Sequence, residues 1–313
     1  MIVSVSRRTD IPAFYSQWLM NRLAAGFAMT RNPFNAKQVS RIELTPEAVS
    51  LLVFWTRNPL PLLPHLPDLD ARGYRYYFHV TLTGYPKALE SATLRPAKAI
   101  DAFCQLAAAI GPQKVIWRYD PVLLCSALPV EAHIDRFARL ARALEGSTQR
   151  VVVSLADLYA KSVRNLTTLP GFSFSDIAAD HAALGRLLPE LQQIAASHGI
   201  RIQGCAEDPA LGELGLAAGK CIDEVLIREL FGLELAARRD KGQRLHCGCI
   251  RSVDIGAYQS CLHGCHYCYA TTDPQLARRN YLLHNPLSPF LLGEPDASTL
   301  AWLAEEEAQG RLF

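Results

Sequence analysis

Membrane-crossing runs, glycine-rich phosphate loops and net charge are all scarce in this sequence. No stretch reaches the ~18 consecutive apolar residues that a membrane-spanning helix needs, so no membrane partner is expected. No GxGxxG follows the first apolar run, and neither GxxxxGKS nor GxxxxGKT occurs, which removes two common nucleotide cradles. The 32 Lys and Arg against 30 Asp and Glu leave a charge of +2. With no basic stripe interleaved with aromatics, nucleic acid is not an expected partner. Lysine is the rarer base, 7 against 25 Arg, for which a coding bias is the plain explanation. The opening MIVSVSRRTDIP sets apolar residues ahead of charge, the reverse of a secretory signal. The expectation is a cytoplasmic chain, where thiols stay reduced.

What is present is a globular composition, half hydrophobic and 20% charged over 313 residues, with a repeating grammar. Short β-branched runs recur at IVSVS (2–6), FAMTR (27–31), LLVFWT (51–56), RYYFHVTLT (75–83), KVIWRY (114–119), VVVSLA (151–156) and IRIQGC (200–205). CIDEVLI (221–227) reads as an eighth strand or a closing helix. Between them lie helical patterns at 14–26, 97–111, 133–146 and 176–199, all four ending in Gly. Near-continuous apolar strands alternating with helices imply a parallel sheet covered on both faces. Seven or eight such units predict a TIM-like (β/α)7–8 barrel over residues 1–235, with a cysteine-rich extension over 236–313 packed on its rim. An open doubly wound sheet is the alternative. The terminal AWLAEEEAQGRLF reads as an amphipathic surface helix.

Polar residues follow the strands: Arg7, Arg8 and Asp10 after the first, Arg31 after the second, Arg57 after the third. Arg118 and Asp120 follow the fifth, Asp157 the sixth, and Cys205, Glu207 and Asp208 the seventh. In a barrel these ends meet on one rim, where active sites are built. Any one of them could be a helix cap or a surface ion pair. Five arginines on one face predict an anionic small molecule.

Cysteine is distributed unevenly. Two of nine lie early (Cys104 and Cys125, read as core residues), and seven lie between Cys205 and Cys268. Cys261-Leu-His-Gly-Cys265-His-Tyr-Cys268 puts three thiols on one tight loop, enough for three corners of a [4Fe–4S] cubane with its fourth iron open. A structural zinc site, or a cluster with a remote fourth ligand used only for electron transfer, are the other readings. His263 and His266 read as solvent-facing loop residues, and Trp55 and Trp117 as barrel core. Cys205, Cys221, Cys247 and Cys249 remain: a full donor set for a second cluster, a four-cysteine zinc site, or free thiols.

The Cys261-x3-Cys265-x2-Cys268 spacing, with Tyr267 before the last cysteine, resembles the signature of the radical S-adenosylmethionine superfamily. That resemblance implies a barrel scaffold, a cluster on Cys261, Cys265 and Cys268, S-adenosylmethionine on the open iron, and Tyr267 beside the adenine. Arg7, Arg31 and Arg57 would then serve the cofactor, and Arg8, Asp10, Arg118, Asp120 and Glu207 the substrate or proton transfer. A flavodoxin or ferredoxin would be the reductant. The motif departs from the superfamily in lying near the C-terminus, and no GGE-type run is evident. Across nearly its full length the chain resembles the bacterial family grouped as domain of unknown function 1848. That resemblance rests on SRRTDIPAFYS (6–16), RNPFN (31–35), VFWTRNP (53–59), VIWRYDP (115–121), CAE (205–207), GKCID (219–223) and CGCIRSVDIGAY (247–258). The other functional expectations are an electron-transfer or redox-sensing iron–sulfur protein, and a barrel hydrolase or lyase using Arg8, Asp10, Asp120 and Glu207 around a structural metal.

Overall fold

Six of the apolar runs become successive strands of one sheet. The structure, a computed structural model, describes residues 1–157, 159–240 and 242–310, with no side chain described for residue 36 or residues 306–310. The strands are β1 (Ile2–Val5), β2 (Phe27–Asn32), β3 (Asn35–Glu43), β4 (Leu51–Thr56), β5 (Tyr76–Thr81), β6 (Val115–Val122), β7 (Arg150–Leu155), β8 (Arg201–Cys205), β9 (Ala218–Gly219) and β10 (Val253–Asp254). Eight of them form a wholly parallel sheet in the order β10-β1-β4-β5-β6-β7-β8-β9. The helices are α1 (Ile11–Phe14), α2 (Ser16–Ala25), α3 (Leu66–Ala71), α4 (Pro96–Ile110), α5 (Val130–Ala143), α6 (Ala160–Leu166), α7 (His181–Ser197), α8 (Glu224–Phe231), α9 (Pro274–Leu282) and α10 (Ala297–Gly310). Among the described residues no helix is long and apolar enough to cross a membrane.

Strand alternation divides the interior into two cores. Val3, Val5, Leu52, Phe54, Phe78, Trp117 and Val153 face one way and pack with Trp18 of α2, Leu69 of α3, Phe103 of α4, Phe137 of α5 and Leu187 of α7. Trp117 stacks on Phe137 with ring centroids 4.6 Å apart. Ile2, Leu51, Val53, Tyr77, Ile116 and Val152 face the other way. They meet Leu226 and Ile227 of α8 and the cysteine-bearing segment up to Ile250. Further along the strands this second face turns polar, with Ser4, His79, Arg118, Asp120 and Ser154 at the same parity. Each large side chain so buried contributes roughly 1.5–3 kcal/mol, and the polar end of the face is where chemistry can sit.

One local expectation changes and two others resolve as helices. FAMTR does not join the main sheet; β2 pairs antiparallel with β3 in a separate hairpin. The Asn32-Pro33-Phe34-Asn35 connection is far too short for the crossover a parallel neighbour needs. CIDEVLI is the helical option: the Asp223 side chain caps α8 at Val225 N–H, and the short β9 lies just before it. The tail helix forms as α10, while the last three residues of the AWLAEEEAQGRLF reading lie outside the described residues. The two ends of the sheet are tied by an Ile250 N–H to Ile222 O bond of 3.1 Å. The side chain of Asp254 holds β10 to β1, accepting from Ser4 Oγ (2.7 Å), Ser6 Oγ (2.7 Å), Arg7 N–H (2.8 Å) and Gly256 N–H (2.9 Å).

Candidate functional site

The 261–268 loop lies across the C-terminal ends of β1, β4 and β5. Asp10, just past β1, anchors it. One carboxylate oxygen caps α1 at Ala13 N–H (3.0 Å); the other accepts Arg57 N–H (2.7 Å) and lies 2.6 Å from His263 Nε2. Arg57, after β4, pairs with the buried Glu90 at 3.0 Å and donates to the Tyr267 hydroxyl at 2.6 Å. Tyr267 in turn donates to Glu90, which also accepts from Thr83 Oγ1 at 2.7 Å. Backbone bonds sew the loop to 89–92: His266 N–H to Leu89 O (3.0 Å) and Ala92 N–H to His263 O (3.0 Å). Gly264 is required here, because its φ is +65° and a Cβ would stand 2.1 Å from Ser91 Oγ.

Cys261, Cys265 and Cys268 are half-buried and free of disulfides. Thr271 N–H donates to Cys268 Sγ at 3.3 Å. Burial pushes the Cys265 thiol up to about 12 despite the opposing Arg57; burial and then the Asp10 carboxylate raise Cys261 as well. Beside the loop is a cavity of ≈ 50 Å³ whose lining includes Arg57, Thr83, Tyr85, Lys87 and Glu90. Small-molecule sites usually occupy about 300 Å³ or more, so a nucleoside-sized ligand requires side chains to move.

The other four late cysteines come together on the second face of the sheet. All are buried: Cys205 at the end of β8, Cys221 after β9, Cys247 and Cys249 before β10. Cys205 Sγ and Cys221 Sγ are 3.0 Å apart, and the Cys249 side chain is close enough to Cys221 and Cys247 to interact with both. Cys221 N–H and Ile222 N–H point at Cys249 Sγ, 3.3 and 3.5 Å away. Arg118 Nη1 is 2.8 Å from Cys221 Sγ. Arg7, stacked on Trp55 at 5.3 Å, lies near enough to Cys249 and Cys221 to feel their charge. The Cys221 carbonyl accepts from Tyr77 Oη (2.6 Å) and lies 2.8 Å from His79 Nε2. Burial holds His79 neutral, down at about 3, and its Nδ1 has no partner.

Arg118 also clamps Asp120, with Nε 2.9 Å from Oδ2. Burial works against the Asp120 charge, but Arg118 and Ser154 outweigh it and hold this carboxyl below its ordinary value. Burial pushes Glu207 up to about 7, and its Oε1 accepts Leu155 N–H at 3.1 Å. Arg244 caps the group, donating to Cys205 O at 3.0 Å and pairing with Asp157.

The structure therefore divides the expected rim into two neighbourhoods. Asp10, Arg57 and Tyr267 belong with Cys261, Cys265 and Cys268. Arg7, Arg118, Asp120 and Glu207 belong with the other four thiols. Arg7 joins the two, since its carbonyl accepts from Tyr269 Oη at 2.8 Å. Arg31 belongs to neither: carried off on the hairpin, it donates to Leu292 O and Glu294 O (3.0 and 2.9 Å) and stacks on Phe290 at 3.6 Å. Arg8 stacks on Tyr258 at 5.4 Å. His263 is 4% exposed, not solvent-facing, because it bonds Asp10. Trp55 is half-buried beneath Arg7 and stacked on His79 at 5.3 Å, not core; Trp117 and Cys125 are core, and Cys104 packs against its edge. Glu90, Tyr77, His79, Arg244 and Asp254 were not foreseen. Only the parity of Tyr77 and His79 with the polar positions of β5 could have signalled them.

Among the described residues no group of three or more His, Cys, Asp or Glu side chains is arranged to hold a metal ion. In composition the 261–268 set nonetheless suits an iron–sulfur cluster: three reduced thiols on one loop, an amide aimed at sulfur and an arginine alongside. A cubane asks for one sulfur at each of three irons, not three at one ion.

Among solved structures, one described as a candidate alpha-L-fucosidase from Bacteroides thetaiotaomicron VPI-5482 is 9% identical with a TM-score of 0.26. The match covers 52% of this chain and 64% of that one, a likeness too slight to bear on activity. No curated protein matches the chain. Residues 2–270 match the family described as Domain of unknown function (DUF1848), and the chain belongs to that family.

Proposed function

We propose that the chain is an iron–sulfur enzyme of the radical S-adenosylmethionine type, with its catalytic cluster on Cys261, Cys265 and Cys268. The observation that carries this reading is the loop itself: three reduced thiols docked at the strand ends through Asp10–His263 and Arg57–Tyr267. Cys261, Cys265 and Cys268 would hold a cluster whose open iron would bind S-adenosylmethionine and supply the electron for its reductive cleavage. The protein's part is to hold and shield. Asp10 positions the loop and the backbone of Arg57. Glu90 fixes Arg57 and Tyr267, so that the tyrosine ring flanks the thiols with its hydroxyl already bonded. Arg8, which makes no ion pair among the described residues, is the cation left to meet an anionic substrate. We read the sheet as a barrel whose seam runs through residues 221–250, in a cytoplasmic protein reduced by a flavodoxin or ferredoxin.

The small cavity beside the loop favours one second reading, a cluster that only carries or senses electrons. Anaerobic reconstitution followed by electron paramagnetic resonance separates the two. A reduced-cluster signal that shifts on adding S-adenosylmethionine and is lost in Cys265→Ala is expected. A signal indifferent to S-adenosylmethionine selects electron transfer, and a chain that takes up no iron at this loop ends both readings.

A further inference from the structure

We infer that Cys205, Cys221, Cys247 and Cys249 form a separate metal centre held by four thiolates, distinct from the 261–268 loop. Four sulfurs from three chain segments make a connected group, Cys205 to Cys221 to Cys249 to Cys247, and none is in a disulfide. Four is the complete donor set of a tetrahedral ion or of a fully ligated cubane.

Two independent features point to thiolate, not to cysteines buried as small apolar residues. Donors converge on sulfur: a buried guanidinium lies 2.8 Å from Cys221 Sγ, and two consecutive amides point at Cys249 Sγ. A neutral thiol is a weak acceptor and does not call for such an array, whereas an ionised sulfur does. Positive charge also faces the sulfurs. Four thiols binding one Zn²⁺, or the 2+ core of a cubane, release four protons and leave a centre of charge −2. Arg118 lies against Cys221 Sγ and Arg7 is near enough to interact electrostatically with Cys249 and Cys221, although each is also paired with a carboxylate, Asp120 and Asp240.

The four sulfurs are not yet set at metal-ligand spacing: the Cys205–Cys221 contact of 3.0 Å is closer than the ~3.8 Å that two thiolates keep on one zinc ion. Entry of a zinc ion thus spreads this pair by somewhat under 1 Å, which the end of β8 and the turn after the edge strand β9 can absorb. The centre would join the end of β8, the turn after β9 and the approach to β10, and so staple the two edges of the sheet across Ile222 and Ile250.

The test uses the full chain carrying Cys261→Ser, Cys265→Ser and Cys268→Ser, purified anaerobically and assayed for metals and acid-labile sulfide. The expected result is one centre per chain, zinc without sulfide or iron with an equal amount of sulfide. Adding Cys249→Ser should abolish it. Should the triple variant not fold, Cys249→Ser alone in the unaltered chain should lower metal content by one centre. The inference is overturned if the triple variant holds no metal, as isolated and after incubation with Zn²⁺ or with Fe²⁺ and sulfide. A Cys205–Cys221 disulfide found in the anaerobic protein overturns it as well. An unaltered chain that holds only this centre and none on the 261–268 loop would instead defeat the radical reading and leave this one standing.

Discussion

At the scale of single residues, both thiol groups are held by side chains drawn from distant parts of the chain, Asp10 and Arg57 at one and Arg118 at the other. Asp10, Arg57, Arg118 and Asp120 were recognisable as strand-end polar residues because they directly follow apolar runs. That Asp10 holds His263, 253 positions away, left no local trace, and neither did the role of Glu90. His133 shows the same limit inside the core. It is fully buried in α5, with Nδ1 2.9 Å from Tyr119 Oη and Nε2 3.1 Å from Leu123 O. Burial lowers it to about 4, whereas in the unfolded chain it titrates near ~6.5. A depressed folded value means the unfolded chain takes up the proton first. This contribution to stability is therefore complete above pH ~6.5 and is lost as pH falls toward 4, at up to about 1.4 kcal/mol per unit. Urea midpoints at pH 7 and pH 5 should show that His133→Leu is less stable than the parent at pH 7 and loses less on acidification. An equal drop in both chains would refute the assignment.

At the scale of elements, the apolar runs in the main sheet lie within three residues of their sequence boundaries. Their composition suits a strand buried on both faces, which needs no context. The elements that sequence reading missed are those stabilised by a distant partner. β9 and β10 are two residues each, too short for any pattern to register, and β10 exists because Asp254 gathers four donors. Asp254→Ala should cost about 3 kcal/mol, the loss of several charge-assisted bonds with Ser4 and Ser6 left partly buried. It should also speed amide exchange at Val253 and Ile255 while leaving β5 to β7 protected. A cost within ±0.5 kcal/mol would mean that the apolar packing of Ile250 and Ile255 alone seats the strand. The β2–β3 hairpin escaped for a different reason: β3 is polar and half exposed, with no apolar run to announce it.

At the scale of the whole molecule, the alternation of strands and helices made a parallel α/β sheet readable, and subtraction among the cysteines made two groups of thiols readable. What covers the second face was not, because α8 and the cysteine-bearing segment up to Ile250 follow β1 to β9 in the chain. The segment after residue 283 also acts as a brace. Trp18 Nε1 donates to Ser288 O (2.9 Å), Arg22 to Leu287 O (2.9 Å) and Met29 N–H to Pro289 O (2.8 Å). The family match ends at residue 270, yet a chain cut there would strand the buried Trp18 N–H and the Arg22 head without acceptors. Such a truncation should unfold several degrees lower, or fail to fold, in a thermal melt compared with the full chain; an unchanged midpoint would show the brace to be dispensable. The order of the chain carries a further consequence. Every late cysteine is synthesised after β1 to β7, while Arg7, Asp10, Arg57 and Arg118, the residues that greet the sulfurs, emerge first. On the ribosome the cationic half of each site is made before its sulfur half exists, so any metal must be delivered after β1 to β7 have been synthesised, with Cys268 the last donor to arrive.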